Sequence, residues 1–242
     1  MTVLITMAGL GSRFSRAGYK DPKYKVMTCG RSLFEWSMLS LANFFNDRFV
    51  FVTLIGDDKD WLLEQAKNIG ICDAAVITRS SLSLGQAETA YDALSIISPN
   101  DPLWIYNIDT YVANGLHPED MVGSDGCVHV FHSINPGMSF VRYNQTGEVE
   151  EVAEKSVISE WATVGMYGFS SAAMFGELYL ETYAKSTSSL VGGERYIAPI
   201  YQTMLSKGLR LVAPKLVEAD VHVLGTPEQV VVFEMARPSL IG

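Results

Sequence analysis

A short loop near the N-terminus carries residue types that bind phosphate groups. It reads Ala8-Gly9-Leu10-Gly11-Ser12-Arg13 and follows the apolar run Thr2 to Met7, which predicts a buried strand. Glycines after a strand let an anion approach backbone N–H groups, and arginine offers a planar fork of donors to phosphate oxygens. The loop is not a P-loop, which ends in GK[ST], nor a dinucleotide-binding fingerprint, since Phe14 replaces the third glycine. A tight turn would also explain the glycines, but Arg13 and the nearby pair Pro22-Lys23 favour a phosphate site.

Positive charge is concentrated in this same part of the chain. The formal net charge is −9, yet six cations and one acid, Asp21, precede Glu35, so the rest of the chain carries −14. An acidic protein lacks the broad basic surface that nucleic acid requires, which argues against a nucleic-acid partner. A local cationic cluster beside glycines predicts a small polyanion such as a nucleoside triphosphate; a solvated charged loop is the alternative. The six cations are Arg13, Arg16, Lys20, Lys23, Lys25 and Arg31.

A carboxylate follows the fourth predicted strand. The run from Pro102 to Ile108 reads PLWIYNI and ends at Asp109. A carboxylate beside so apolar a strand needs a partner, because Asp is almost never buried unpaired. Mg²⁺ is a suitable partner, since it prefers oxygen ligands and is commonly bound by carboxylates together with substrate phosphates. The alternative is an aspartate that caps a helix or lies in a loop.

The elements around these residues predict an α/β domain. Strands are expected at 2–7, 49–55, 74–78 and 102–108, and helices at 32–45, 58–68 and 86–97, an alternation typical of a parallel sheet with helices on both faces. The second half has closely spaced strands at 127–132, 138–143 and 148–153, which predicts antiparallel pairing at the sheet edge. Helices at 170–183 and 194–206, a strand at 209–213 and a helix from Pro227 follow. We therefore predict one Rossmann-like, three-layer α/β/α domain with a mixed, mostly parallel central sheet.

Several segments together resemble one enzyme family. The run from Met7 to Phe14, followed by Pro22-Lys23, resembles the opening signature of nucleoside-triphosphate transferases that make sugar nucleotides, the sugar-phosphate nucleotidyltransferases or NDP-sugar pyrophosphorylases. This resemblance continues along most of the chain and implies the nucleotide-diphospho-sugar transferase fold. The further matching segments are Leu84 to Ala90 (LGQAETA), Asn107-Ile108-Asp109, Gly147 to Lys155, Val164 to Phe169 (VGMYGF) and Leu224 to Glu228 (LGTPE).

The resemblance implies a role for each matched residue. Arg13 would hold the β- and γ-phosphates, and Lys23 would lie against the α-phosphate and the attacking phosphate, which makes these two the catalytic candidates. Asp109 would bind magnesium. Lys155 would hold the phosphate of the acceptor, and Glu154 would accept hydrogen bonds from sugar hydroxyls. The remaining nucleotide-binding candidates are Ala8, Gly9, Gly11 and Ser12 at the phosphates and Gly85 and Gln86 at the base; Gly165 is the third acceptor-binding candidate.

The chain departs from the family pattern at the second metal ligand. Many relatives have W-x-D-x-G-T-P near the C-terminus, whereas Val223 stands here in place of that aspartate. Asp220 and His222 are nearby, and Asp220 is the better ligand for a hard cation that prefers oxygen. Asp220 lies three residues early, and a strand reverses face at odd offsets. Three alternatives therefore stand: one carboxylate suffices, the strand is bulged, or the second ligand is elsewhere.

The acceptor side also differs from well-known hexose-phosphate members. The segment from Thr187 to Tyr196 (TSSLVGGERY) predicts a loop that leads into a helix and either closes over the acceptor or only connects two elements. We expect residues 1–110 to form a nucleotide-binding half and residues 111–242 an acceptor-binding half. Cys29, Cys72 and Cys127 are few and scattered, which indicates buried, reduced thiols in a cytoplasmic protein.

The sequence predicts Mg²⁺-dependent transfer of NMP from an NTP to a sugar 1-phosphate or a similar small phosphorylated acceptor. A glycosyltransferase of the related fold is the alternative enzyme, although such enzymes typically have D-x-D where this chain has Asn107-Ile108-Asp109. A binding protein without catalysis is the third hypothesis, and Val223 is the feature that favours it. No membrane association is expected, because no apolar run approaches the length of a membrane span. A homo-oligomer would be usual for such an enzyme, but no stripe of interface residues indicates one.

Overall fold

The computed structural model describes residues 1–184 and 190–236 and contains strands and helices at the following positions. The strands are β1 (Thr2–Thr6), β2 (Met27–Thr28), β3 (Arg31–Ser32), β4 (Arg48–Leu54), β5 (Asp73–Arg79), β6 (Leu103–Asn107), β7 (Thr110–Val112), β8 (Gly126–His132), β9 (Ser139–Tyr143), β10 (Val149–Glu154), β11 (Trp161–Phe169), β12 (Leu211–Val212) and β13 (Val221–Val223). The helices are α1 (Ser12–Arg16), α2 (Leu33–Leu39), α3 (Lys59–Asn68), α4 (Gln86–Asp92), α5 (Ala172–Ala184), α6 (Ala198–Ser206) and α7 (Pro227–Ala236).

The central sheet has nine strands and is mixed, as the sequence predicts. Strands β5, β4, β1 and β6 lie side by side in that order and are parallel. Strand β11 then pairs antiparallel with β6, and β8 pairs antiparallel with β11. Strands β9 and β10 form an antiparallel hairpin at the far edge, and β12 lies parallel to β8. The α/β class is therefore confirmed.

Helices cover both faces of the sheet. On one face, Leu4 and Ile105 lie in a core cluster that includes buried residues of α4, α5 and α6. On the other, Ile5 and Trp104 lie in a cluster with residues of α2 and α3. Successive strand residues thus point to opposite helical layers, as the pleat requires. The result is the predicted three-layer α/β/α arrangement.

A third, smaller cluster anchors the N-terminal loop to the end of the chain. Phe14, which is 1% exposed, packs in it with Trp36 of α2 and with Phe233 of α7. The Trp36 and Phe233 rings meet edge to face with centroids 5.1 Å apart. Leu224, which directly precedes Gly225, belongs to the same cluster. This packing brings two segments from opposite ends of the chain to the same edge of the sheet.

Three predicted helices are shorter than expected. The helix expected at 86–97 ends at Asp92 and continues as a 3-10 turn over Ala93–Ile96, and in the other two, tertiary contacts take backbone or side-chain groups. The capping box of Ser32 and Glu35 starts α2 as predicted, but the helix ends at Leu39 instead of Phe45. There the Ser40 hydroxyl accepts a hydrogen bond from Val112 N (2.9 Å), and a short 3-10 turn follows. The helix expected from Glu194 begins only at Ala198, since residues 194–196 make other contacts.

The three cysteines are free, but only Cys127 is buried. The expectation of buried thiols is therefore wrong for Cys72, which is exposed, and for Cys29, which is half-buried. Burial raises the pKa of the Cys127 thiol. Within residues 1–184 and 190–236, no helix has both the length and the apolar character needed to cross a bilayer.

Candidate active site

A cavity of about 740 Å³ opens at the carboxyl ends of β1 and β6. This is the edge at which open α/β sheets bind ligands, and the volume is typical of a site for a nucleotide-sized molecule. The cavity brings together every residue that the sequence proposes for catalysis and for nucleotide binding. Those residues are Ala8, Gly9, Gly11, Ser12, Arg13, Lys23, Gly85, Gln86 and Asp109.

The loop after β1 is shaped by Gly11. This residue has a φ of 57°, in the left-handed region that favours glycine. A Cβ at Gly11 would lie 3.4 Å from the Cβ of Lys23, so the loop also packs closely on the Pro22-Lys23 turn. The first N–H groups of α1, from Ser12 and Arg13, have no intrahelical acceptor and are available to an anion. The backbone therefore places N–H groups, Arg13 and Lys23 beside one another.

Lys23 and Asp109 form the central charge pair of the cavity. The Lys23 ammonium donates to Oδ1 of Asp109, although 86 positions separate the two residues. The Lys23 side chain is 13% exposed, whereas that of Asp109 is 41% exposed. The ammonium also lies 5.7 Å from the centroid of the Phe14 ring. The arrangement holds one cation and one carboxylate where β6 ends, and each is within reach of a ligand in the cavity.

The segment matched to the nucleobase contact forms a second wall. Gly85 has a φ of 133°, and a Cβ there would lie 2.5 Å from the carbonyl oxygen of Arg195. Only glycine fits, because the Arg195 backbone pairs with this loop through Arg195 N to Leu84 O (2.6 Å) and Ala87 N to Arg195 O (3.0 Å). The Gln86 carboxamide nitrogen donates to the Thr6 hydroxyl (3.2 Å) and so ties α4 to the end of β1.

The acceptor-binding candidates lie at the margin and do not themselves line the cavity. Glu154 ends β10, and burial raises the pKa of its carboxyl, which accepts a hydrogen bond from the Ser139 hydroxyl. Lys155 follows in the left-handed conformation (φ 51°), uncommon for a residue with a side chain. Its ammonium donates to the hydroxyl of Tyr196, which does line the cavity. Gly165 (φ 84°) lies in β11 where the register with β8 shifts.

Asn107 is a site residue that the sequence reasoning did not assign. It lines the cavity at the end of β6, and a Cβ at Gly165 would lie 2.3 Å from its carboxamide nitrogen. Gly165 is thus glycine because the Asn107 carboxamide occupies that space. The Asn107 Oδ1 atom is buried and has no hydrogen-bond partner among the described residues. The sequence could have indicated Asn107 as a site residue, because it lies two residues before Asp109 and side chains two apart on a strand point to the same face.

The structure does not bring Asp220 to Asp109. Strand β13 runs antiparallel to β7 without a register shift, so the strand is not bulged. Leu224 N donates to Asp109 O (2.6 Å) just before β7, whereas Asp220 O accepts from Ala113 N (2.8 Å) just after it. The two hydrogen bonds are therefore four residues apart along the chain. That offset corresponds to about 13 Å along a strand. The Asp220 carboxylate accepts a hydrogen bond from Asn114 (2.7 Å) instead and does not line the cavity.

Val223 packs where relatives have the second aspartate. It lies opposite Thr110 and contacts the core cluster beneath α2 and α3. In the described residues, no group of three or more Asp, Glu, His or Cys side chains forms a metal cluster. Asp109 Oδ2 and Gln229 Oε1 do approach one point, because a Cβ at Gly225 would lie 3.5 and 3.3 Å from them. The Gln229 oxygen is buried without a hydrogen-bond partner among the described residues.

This donor set fits a magnesium ion bound together with a triphosphate. Mg²⁺ prefers oxygen ligands and is usually held by one or two carboxylates plus substrate phosphates and water. Asp109 supplies one carboxylate that lines the cavity, whereas the Gln229 amide oxygen lies near it behind Gly225 and does not line the cavity. Asp109 is therefore the residue that would hold the ion, with Gln229 beside it.

Comparison with solved structures identifies the family. The chain is similar to the nucleoside-diphosphate-sugar pyrophosphorylase from Vibrio cholerae RC9, with 31% identity, a TM-score of 0.89, and coverage of 97% of this chain and 100% of the other. It is similar in fold to a putative glucose-1-phosphate thymidylyltransferase from Bacillus anthracis in complex with sucrose (17% identity, TM-score 0.81, coverage 100% and 97%). It is likewise similar to the inositol-1-phosphate CTP transferase from T. maritima (16% identity, TM-score 0.74, coverage 100% and 97%).

The chain belongs to the nucleoside-diphosphate-sugar pyrophosphorylase family, because it is 31% identical to the Vibrio protein over 97% of its own length. Comparison with protein-family models gives no match, and neither does comparison with curated protein sequences.

Proposed function

We propose that the protein transfers NMP from an NTP to a sugar 1-phosphate or a similar small phosphorylated acceptor, releasing pyrophosphate. The observation that carries the proposal is the convergence of Arg13, Lys23 and Asp109 on one cavity whose other wall is the Gly85-Gln86 loop. Three separate parts of the chain thus meet at one sheet edge. They supply two cations, a carboxylate and a loop that can contact a nucleobase. Membership of the family supports the same activity.

The chemistry follows from the charges. A phosphate oxygen of the acceptor attacks the α-phosphorus of the NTP in line, the new P–O bond forms, and the bond between the α-phosphorus and the bridging oxygen breaks as pyrophosphate leaves. Both reactants are anions, so catalysis consists mainly of positioning and of neutralising charge in the transition state. Arg13 would hold the β- and γ-phosphates through its planar guanidinium. Lys23 would neutralise the α-phosphate, on which the charge develops.

Binding of the substrate would exchange partners within the central charge pair. In the ligand-free arrangement the Lys23 ammonium and the Asp109 carboxylate neutralise each other. With a triphosphate bound, Lys23 would take a phosphate oxygen as its partner and Asp109 would be free to hold Mg²⁺, which supplies neutralisation and orientation of the phosphates when bound. The pair therefore keeps two opposite charges in the site at little energetic cost before the substrate arrives.

The remaining elements of the proposal concern the acceptor and the location. Glu154, Lys155 and Gly165 would form the acceptor side, within the half from residue 111 onward, while residues 1–110 would supply most of the nucleotide side. Glu194 and Tyr196 of the second half also line the nucleotide cavity, so the two halves share it. Action in the cytoplasm on free NTP is part of the proposal.

One assay tests the proposed activity. The protein is incubated with ATP, CTP, GTP, UTP or dTTP, MgCl₂ and a panel of acceptors that includes glucose 1-phosphate and inositol 1-phosphate, and pyrophosphate release is measured. Release that requires both the NTP and an acceptor supports the proposal. Consumption of an NDP-sugar without pyrophosphate release would instead identify a glycosyltransferase, and binding without turnover a non-catalytic protein.

A further inference from the structure

Residues Glu194 to Tyr196, which we name the strap, lie between the loop from Leu84 to Ala87, which we name the base loop, and Lys155. The backbone of Arg195 pairs with Leu84 and Ala87 on one side. The Arg195 guanidinium donates to Glu88 (2.9 Å) and to the Tyr179 hydroxyl (2.6 Å). The middle of the strap is thereby fixed by both main chain and side chain. Its two flanking side chains, of Glu194 and Tyr196, line the cavity that holds Arg13 and Lys23.

The Tyr196 hydroxyl lies between an ammonium and a carboxylate. It accepts a hydrogen bond from Lys155 and donates one to Glu194. The Lys155 ammonium also lies 4.3 Å from the centroid of the Tyr196 ring, within cation–π range. Lys155 does not line the cavity, so Tyr196 is the group through which it faces the substrates.

The charges around this hydroxyl favour a second anion. Burial, reinforced by the Glu194 carboxylate, raises the pKa of Tyr196, so the phenol keeps its proton at neutral pH and remains a donor. Arg13 lines the same cavity as Glu194 and Tyr196, so the strap faces the loop from Ala8 to Arg13 across that cavity. Glu194 is an exposed carboxylate that accepts from the Tyr196 hydroxyl, and a phenol with an ammonium next to it also suits a phosphate oxygen.

We propose that Tyr196 is an acceptor-binding residue and that the Glu194 carboxylate occupies the place that the acceptor's phosphate takes on the Tyr196 hydroxyl, next to the Lys155 ammonium. This inference rests on the proposed function and names the side chain that presents the acceptor site to the cavity. A phosphate and the Glu194 carboxylate compete for the same donor, the Tyr196 hydroxyl. Removing the charge of Glu194 therefore strengthens phosphate binding, whereas removing the hydroxyl of Tyr196 weakens it.

Three variants and one control test the competition. The variants are Glu194→Gln, Tyr196→Phe and Lys155→Met. The control is Tyr143→Phe, because Tyr143 also has a lysine over its ring (Lys215, 4.6 Å) and a bonded hydroxyl, which donates to Ala213 O, and it lies outside the cavity. Two quantities are measured: KM for the acceptor and for the NTP in the pyrophosphate assay, and affinity for inorganic phosphate by calorimetry with the nucleotide site filled by an α,β-methylene NTP.

The two strap variants are expected to change acceptor binding in opposite directions. Tyr196→Phe raises the acceptor KM about tenfold, the effect of losing one hydrogen bond to a charged group, and leaves the NTP KM unchanged. Glu194→Gln lowers the acceptor KM severalfold. In the Lys155→Met background both effects shrink, since the ammonium that donates to the Tyr196 hydroxyl and attracts the phosphate is gone. Tyr143→Phe changes neither KM.

Two results would overturn the inference. If Glu194→Gln raises the acceptor KM, Glu194 binds the acceptor directly and does not compete with it. If Tyr196→Phe changes the NTP KM as much as the acceptor KM, the strap acts only through the base loop. Should the wild-type protein release no pyrophosphate with any substrate pair, the proposed function fails; the phosphate titration still decides the inference, which requires weaker binding for Tyr196→Phe and tighter binding for Glu194→Gln.

Discussion

The Lys23 ammonium pairs with the Asp109 carboxylate at the point where β6 ends, and the two residues come from segments 86 positions apart. Lys23 is fixed in a turn that packs on Gly11, and Asp109 is fixed by the hydrogen bond from Leu224 N. The pair therefore links the loop from Ala8 to Arg13 to the C-terminal segment around Leu224. Its disruption is the most direct test of the proposed chemistry.

Replacing Lys23 by alanine is expected to lower kcat by about 10²–10³-fold, the usual loss for one charged contact to the transition state. The matched control is Lys25→Ala, two residues along in the same turn. Lys25 pairs with Asp58 (3.0 Å) and lies 5.0 Å from the Trp61 ring centroid, outside the cavity. Pyrophosphate release at saturating substrates measures the effect. Near-normal turnover in Lys23→Ala would remove Lys23 from catalysis.

The metal prediction contrasts Asp109 with Asp220. Asp109→Asn is expected to raise the Mg²⁺ concentration needed for half-maximal rate by about tenfold or more, because a charged ligand is lost. Asp220→Asn is expected to leave that concentration unchanged, since its carboxylate is held by Asn114 away from the cavity. Rates are measured against MgCl₂ at fixed NTP. A shifted Mg²⁺ response in Asp220→Asn would restore Asp220 to the site.

The buried parts of this fold were predictable from local sequence because apolar runs mark them. The strand expected at 49–55 is observed at Arg48–Leu54, and the helix expected at 58–68 is Lys59–Asn68 with Asp58 as its cap. Both rest on patterns contained within a few residues. The loop from Ala8 to Arg13 was likewise recognisable as a candidate phosphate site, since its glycines and Arg13 are adjacent in sequence.

The strap and the approach of Gln229 to Asp109 were not predictable because they join segments that are remote in the sequence. Nothing local to Glu194 shows that the Arg195 backbone pairs with Leu84, so the sequence predicted a helix there. Three residues of the proposed acceptor loop, 187–189, lie outside the described residues. The proximity of Gln229 to Asp109 depends on how α7 packs, which the sequence pattern around Val223 does not determine.

The close approach of Gly85 to the strap predicts that a methyl group there harms nucleotide binding. Gly85→Ala would place its Cβ 2.5 Å from Arg195 O, so the base loop and the strap must separate. We expect a higher NTP KM and a lower melting temperature. The control is Gly147→Ala, which has a positive φ of 85° but open space around it and should lose only about 1–2 kcal/mol. Equal behaviour of the two variants would argue against the contact.

The buried His129 predicts how stability depends on pH. Its Nε2 donates to Asp120 (2.8 Å), and this hydrogen bond lowers the pKa of the Asp120 carboxyl. A carboxyl with a lowered folded pKa stabilises the protein fully above its unfolded pKa of about 3.9, and the stabilisation is lost as pH falls through the folded value. The free energy of unfolding of Asp120→Asn should therefore be about 1 kcal/mol lower than that of the wild type at pH 7. This difference should vanish in acid.

Urea unfolding of wild-type protein and of Asp120→Asn between pH 7 and pH 2.5 measures this difference directly. The matched control is Glu119→Gln, because Glu119 is the adjacent acid but is 67% exposed and pairs only with His117 in solvent. A surface pair of that kind contributes little, so this variant should follow the wild type at every pH. If Asp120→Asn stayed equally destabilised at the lowest pH, the loss would come from packing and not from the carboxylate charge.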